Sequence, residues 1–173
     1  MKKALFLVVM SSLFMGCSSE SDDSNSGTIT MKYNGEQISA KVTSVTLYYV
    51  GGDGKRLDIT AENNSKVFQI AFASTNTSEE FNTNEYNEEN ANLDDNQALF
   101  YVSYKVGGNT YGEHMPSDIS IHKTGQDTGK NLISGTFTAV LDKVGSMQDE
   151  VETPEQIVVT EGKFTNLKYT EIN

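Results

Sequence analysis

The chain has 173 residues, a formal net charge of −11 and a sequence pI near 4.5. So acidic a surface repels nucleic acid and anionic lipid, and leaves cationic partners, divalent cations and neutral ligands. The length supports one domain, and 36% apolar residues with eight Tyr, eight Phe and no Trp fit an extracellular β protein.

The leader comes first. Lys2 and Lys3 precede an apolar run from Ala4 to Met10, which resumes at Leu13 after Ser11 and Ser12. The run is too short for a spanning helix, which needs about 20 apolar residues. It has the charge, length and small-residue end of a secretory signal. Leu13-Phe14-Met15-Gly16-Cys17 resembles a bacterial lipobox, with one departure: Leu13 stands four residues before the Cys rather than three. The expected division is a signal peptide over 1–16, a lipidated Cys17 with a disordered acidic tether over 17–27, and a β domain over 28–173. Cys17 is the only cysteine, so disulfides within the chain are excluded. The resemblance implies two or three acyl chains on Cys17, enough for stable membrane attachment. Removing Lys2 and Lys3 with the leader leaves 11 basic against 24 acidic side chains, a net charge of −13.

Ser18 to Gly27 has nothing apolar to bury and is expected to be disordered. Its ten residues reach up to about 35 Å when extended. Glu20, Asp22 and Asp23 resemble the acidic surface-export signal of Bacteroidetes-type lipoproteins; a plain solvated linker is the alternative.

Thr28 to Tyr33 alternates, with Ile29, Met31 and Tyr33 on one face, and Asn34-Gly35 is a hairpin signal. Gln37 to Val50 returns. Its apolar parity switches between Val42 and Val45, which predicts a bulge near Thr43-Ser44. After a turn at 51–54, Lys55 to Ala61 points Leu57, Ile59 and Ala61 inward. A turn at 63–65 leads into Val67 to Ala73, apolar on both faces except Gln69, which predicts a central strand. Thr75 to Gln97 holds five Glu, two Asp and seven Asn, and reads as a long irregular loop.

Ala98 to Val106 carries Phe100, Val102, Tyr104 and Val106 on one side, with Leu99 and Tyr101 on the other. Thr110 to His114 reads as a short strand closed by Met115-Pro116. Asp118 to Lys123 points Ile119 and Ile121 inward and Ser120 and His122 outward. Gly125 to Lys130 is a polar turn. In Leu132 to Leu141, Ile133, Gly135, Phe137, Ala139 and Leu141 are in phase. An acidic connection over 142–155 contains Pro154. Ile157 to Glu161 and Lys163 to Tyr169 are the last strands, with Gly162 as a bulge or turn glycine. Nine or ten short strands with no helical period predict an all-β fold, an antiparallel β-sandwich, with a small lipocalin-like barrel as the alternative.

The two ends of the domain resemble those of uncharacterised Bacteroidetes-type lipoproteins. Met31-Lys-Tyr-Asn-Gly-Glu36 resembles their opening. Ile133-Ser-Gly-Thr-Phe137 with Thr160-Glu-Gly-Lys-Phe164 and Tyr169 resembles their G-x-F … T-x-G-x-F-x-x-x-x-Y ending. The resemblance implies an all-β extracytoplasmic domain and no known activity.

Catalysis has little to stand on. There is no G-x-S-x-G elbow, and His114 and His122 are the only imidazoles. Paired carboxylates for glycoside hydrolysis would need desolvation that polar loops do not provide. Zinc lacks ligands. Calcium takes oxygen ligands, and Glu88, Glu89, Asp94 and Asp95 with the Asn92 carbonyl form one candidate set; Asp149, Glu150 and Glu152 form another. The simpler reading of both is a solvated charge run. Tyr48, Tyr101 and Tyr111 are the candidate aromatic platforms for a glycan. The expected function is a membrane-anchored, non-catalytic binding or assembly module on the outer membrane, at the cell surface or facing the periplasm. Its expected partners are the membrane, through Cys17, and an extracellular glycan or envelope protein. A structural envelope or adhesin accessory is the alternative, and a hydrolase comes third.

Overall fold

A computed structural model describes residues 27–50, 54–64, 66–74, 85–87, 97–106, 109–144 and 152–172. The strands in chain order are β1 (Thr28–Tyr33), β2 (Glu36–Val50), β3 (Gly54–Asn63), β4 (Lys66–Ser74), β5 (Glu85–Asn87), β6 (Gln97–Val106), β7 (Asn109–Asp127), β8 (Leu132–Lys143), β9 (Gln156–Lys168) and β10 (Thr170–Ile172). Eight of them form an antiparallel meander, β1-β2-β3-β4-β6-β7-β8-β9, in which β1 pairs with both β2 and β9. That double pairing closes the sheet into a barrel. The expected sandwich is therefore corrected to the alternative, a barrel.

The reason lies in strand length and bulges. β2 runs for 15 residues and β7 for 19, and the register shifts within the β1–β9, β2–β3, β6–β7, β7–β8 and β8–β9 pairs. Each bulge adds twist and bend. A long, strongly coiled sheet meets its own first strand instead of stacking on a second sheet.

Turn chemistry follows the sequence. Asn34 and Gly35 both have positive φ, 50° and 84°, as a two-residue hairpin turn requires. Asn34 also joins the closing ladder: its N–H donates to the Val158 carbonyl at 2.8 Å, and its Oδ1 accepts from the Val158 N–H at 2.7 Å. The predicted irregularity in β2 is present, between Val42 and Ser44.

Two expected boundaries move. Pro116 does not end a strand; β7 runs through it and β8 pairs on past it. What stops near Pro116 is the ladder to β6, whose highest pair is Val102–His114. Proline has no N–H to carry that ladder further. Higher up, β5 occupies the gap, antiparallel to β7 and parallel to β6. The last strands are likewise one: β9 is continuous from Gln156 to Lys168, with Glu161 and Asn166 at positive φ absorbing two irregularities. The chain then turns at Tyr169, and β10 pairs parallel with the upper part of β2. The lower end of the barrel is the one carrying the Asn34–Gly35 turn; the upper end carries the β7–β8 turn.

Inward side chains form one core from Ile29 to Tyr169, with Ile59, Phe68, Ile70, Phe100, Ile121 and Phe164 among those with almost no exposure. Rings run through it in an unbroken series. Tyr33 meets Phe68 at 6.3 Å, Phe68 meets Phe100 at 6.4 Å, and Phe100 meets Phe137 edge-on at 5.5 Å. Phe137 stacks on Phe164 and Phe164 on Phe72, both at 6.4 Å. These distances lie in the favourable range for aromatic pairs.

The G-x-F repeats explain part of this series. Antiparallel pairing sets Gly135 opposite Phe164 and Phe137 opposite Gly162. Each phenyl ring lies over the glycine of the facing strand. A Cβ on Gly162 would stand 2.5 Å from both the Phe137 ring and its carbonyl oxygen, and one on Gly135 would stand 2.4 Å from the Phe164 ring. The motif is thus a reciprocal packing device, legible only once the register is known.

Candidate functional site

Away from β4 and β6, where Val67, Ala71 and Leu99 lie on the outward face, the wall of the barrel is mainly apolar inside and polar outside. On β8, for example, Ile133, Phe137, Ala139 and Leu141 are buried while Thr136, Thr138 and Asp142 are exposed. On such strands the alternation is the inverse of the membrane-spanning pattern. With the aromatic series occupying the middle, chemistry is to be sought at the ends and on the outer wall.

At the lower end a polar group is built into the core. His114 is fully buried, and its Nε2 lies 2.7 Å from the Pro154 carbonyl, which accepts the N–H. Its Nδ1 is buried with no hydrogen-bond partner among the described residues. The Tyr104 ring meets the imidazole at 5.8 Å, and the Tyr104 and Tyr33 hydroxyls lie 2.9 Å apart. Burial pushes the Tyr33 hydroxyl well above the usual phenol range, and the bond to Tyr104 pushes the same way. Tyr104 is also raised by burial, partly offset by that bond. Asp142, at the same rim, is held below the ordinary carboxylate range by hydrogen bonds from Gln156 and then Ser117. His114 has no nucleophile beside it among these contacts, so the cluster reads as a packed polar plug.

Sequence reasoning missed His114 as an interior residue. Its parity does not match Ile119 and Ile121. The register shift between Pro116 and Asp118 reconciles them. Lys55 and Lys123 are also inward and almost fully buried. Their parity with Leu57 and with Ile121 was the available signal. Lys123 Nζ donates to Gln126 Oε1 at 3.4 Å.

On the outer wall, β7, β8 and β9 form a groove of about 230 Å³ lined by Ser120, His122, Thr136, Thr138, Glu161 and Lys163, floored by Phe137 and Gly162. The irregularity at Glu161–Gly162 lies within it: Glu161 has positive φ, and Gly162 between Glu161 and Lys163 has no side chain to fill the space. His122, Thr136 and Lys163 lie in one cross-strand row, continued by Thr30 on β1. Neighbouring strands lie about 4.8 Å apart, so the ends of the trio are roughly 10 Å apart. Glu161 is ion-paired with Lys32. The side chains of His122, Thr136, Thr138 and Lys163 make no hydrogen bond or ion pair among the described residues.

The sites expected from sequence are dispersed. His122 is outward and exposed, as expected. Tyr48 is 37% exposed near the upper end of β2, where its row crosses Arg56 and Ala73 to reach Gln97. Tyr101 lies four residues further along β6. Four rises along the strand and three strand spacings across put the two roughly 20 Å apart, too far for one platform. Tyr111 belongs to β7, but its side chain lies outside the described residues. So do Cys17, the calcium set of Glu88, Glu89, Asn92, Asp94 and Asp95, and Asp149 and Glu150; Glu152 is exposed. Among the described residues no cluster of His, Cys, Asp and Glu could hold a metal ion.

No family model matches this chain, and neither does any curated protein or solved structure.

Proposed function

We propose that this protein is a membrane-anchored extracytoplasmic barrel acting as a non-catalytic binding module, with its recognition surface on the outer wall. The groove over β7–β9 carries the reading, because it gathers His122, Thr136, Thr138 and Lys163, whose side chains make no hydrogen bond or ion pair among the described residues. The leader and lipobox support the anchor, and the tether gives the barrel reach. Strand addition, the basis of the accessory reading, needs a free sheet edge. Closure of β1 on β9 uses those edges along the length of β1, and β10 covers the flank of β2 above it, so little edge is left and binding stands first.

Two experiments test this. Cys17→Ala is expected to leave the protein without lipid and out of the salt-washed membrane fraction; its retention there would remove the anchor. The intact lipidated protein, screened against purified glycans and envelope proteins, is expected to bind a defined subset. Binding to none would remove the module.

A further inference from the structure

The groove on β7–β9 has a chemistry that narrows its ligand. Its volume of about 230 Å³ is below the 300–1,000 Å³ usual for drug-sized ligands, so it suits a single ring. Its lining holds one cation without a partner among the described residues, Lys163; one carboxylate, Glu161, turned to Lys32; and between them hydroxyls and an imidazole. A bare anion such as sulfate would gain Lys163 but would face Glu161. A neutral sugar would leave Lys163 unused. A sugar ring with one carboxylate satisfies both, Lys163 offsetting locally the repulsion that the chain's net negative charge exerts on anions: the carboxylate meets Lys163, and ring hydroxyls donate to Glu161 and exchange hydrogen bonds with Thr136, Thr138 and His122. The row Lys163–Thr136–His122 presents these groups in register on three hydrogen-bonded strands. Rigid strands hold such an array with little ordering cost on binding.

We propose that this groove is a hexuronate-binding site, in which Lys163 selects the carboxylate and Thr136, Thr138, His122 and Glu161 hold the ring hydroxyls. The inference rests on the binding-module reading and names its ligand.

The test is calorimetric titration of the intact, detergent-solubilised protein with D-galacturonate, D-galactose and inorganic sulfate. Galacturonate is expected to bind at least tenfold more tightly than either of the others. Lys163→Ala is expected to erase that preference and Lys163→Arg to keep it. Thr136→Val is expected to weaken both sugars severalfold, with an unchanged unfolding midpoint confirming the fold. Equal affinity for galacturonate and galactose, undiminished galacturonate binding in Lys163→Ala, or sulfate binding as tightly as galacturonate would each overturn the assignment. The two readings fail differently. Glycan binding in the wider screen that persists in Lys163→Ala and Thr136→Val overturns the groove alone. A wild-type protein that binds nothing overturns both.

Discussion

Gly135 and Gly162 have their sense in the rings that cover them. At Gly162 an added methyl meets the Phe137 carbonyl oxygen, which belongs to a paired strand and cannot swing aside. Gly162→Ala is therefore expected to cost at least the ~1–3 kcal/mol of ordinary overpacking. At Gly135 the nearest atom is the tip of a ring, with the His122 carbonyl at 3.0 Å. Gly135→Ala is expected to cost less, and urea unfolding of both variants gives the order; the reverse order would contradict the packing described. Tyr33 and Tyr104 make a pH prediction. Both hydroxyls ionise less readily folded than unfolded, so their contribution is complete below the ordinary phenol pKa of about 10 and is lost as pH rises above it. The limiting slope is about 1.4 kcal/mol per pH unit for each tyrosine. Urea unfolding between about pH 9 and 11 should show the fall, and Tyr33→Phe should flatten it. An identical slope in that variant would place the alkaline sensitivity elsewhere.

At the scale of elements, the connection between β8 and β9 is held where it rejoins the barrel. His114 grips the Pro154 carbonyl, the Lys143 N–H donates to the Glu155 carbonyl at 2.9 Å, and Gln156 reaches Asp142 at 2.9 Å. His114→Ala opens a cavity in the core and removes the hydrogen bond to Pro154, and is expected to cost about 2–4 kcal/mol. His114→Phe refills the volume without the hydrogen bond. Limited proteolysis should then cut the 144–155 connection faster in both variants, while the unfolding midpoint falls further in His114→Ala. Equal resistance to protease in all three proteins would show that His114 does not hold this connection. β10 is a second such element. It completes the flank of β2 above the start of β1, and the Tyr49 hydroxyl donates to Glu171 at 3.4 Å. Ending the chain after Tyr169 removes that pairing and should lower stability by about 1–2 kcal/mol, the net worth of one or two hydrogen bonds.

For the whole molecule, closure is expected to be the late event in folding. Ile29 pairs with Phe164 and Tyr33 with Val159, so the seam joins opposite ends of the domain. The other ladders of the barrel join strands that follow one another along the meander. A topology with so distant a pairing folds in milliseconds to seconds. Stopped-flow refolding of the wild-type protein should show this, and completion within microseconds would mean that the seam does not limit the rate.

Inward faces are written in the sequence, because a buried strand face repeats every two residues. Ile29, Met31 and Tyr33, then Leu57, Ile59 and Ala61, then Phe100, Val102 and Tyr104 are all assigned by that period alone. The Asn34–Gly35 turn and the break near Thr43-Ser44 are equally legible, since each is a local conflict with a local remedy. His122 on the outer wall follows from the same alternation. Barrel rather than sandwich does not, because closure depends on twist summed over eight strands, and no single strand encodes it. His114 stays hidden for a related reason: the shift after Pro116 reverses parity, so the same residue reads as outward in one register and inward in the other. The groove is non-local too. Its residues lie on three strands spaced along 44 positions of the chain, from Ser120 to Lys163, and only the pairing of those strands puts His122, Thr136 and Lys163 side by side.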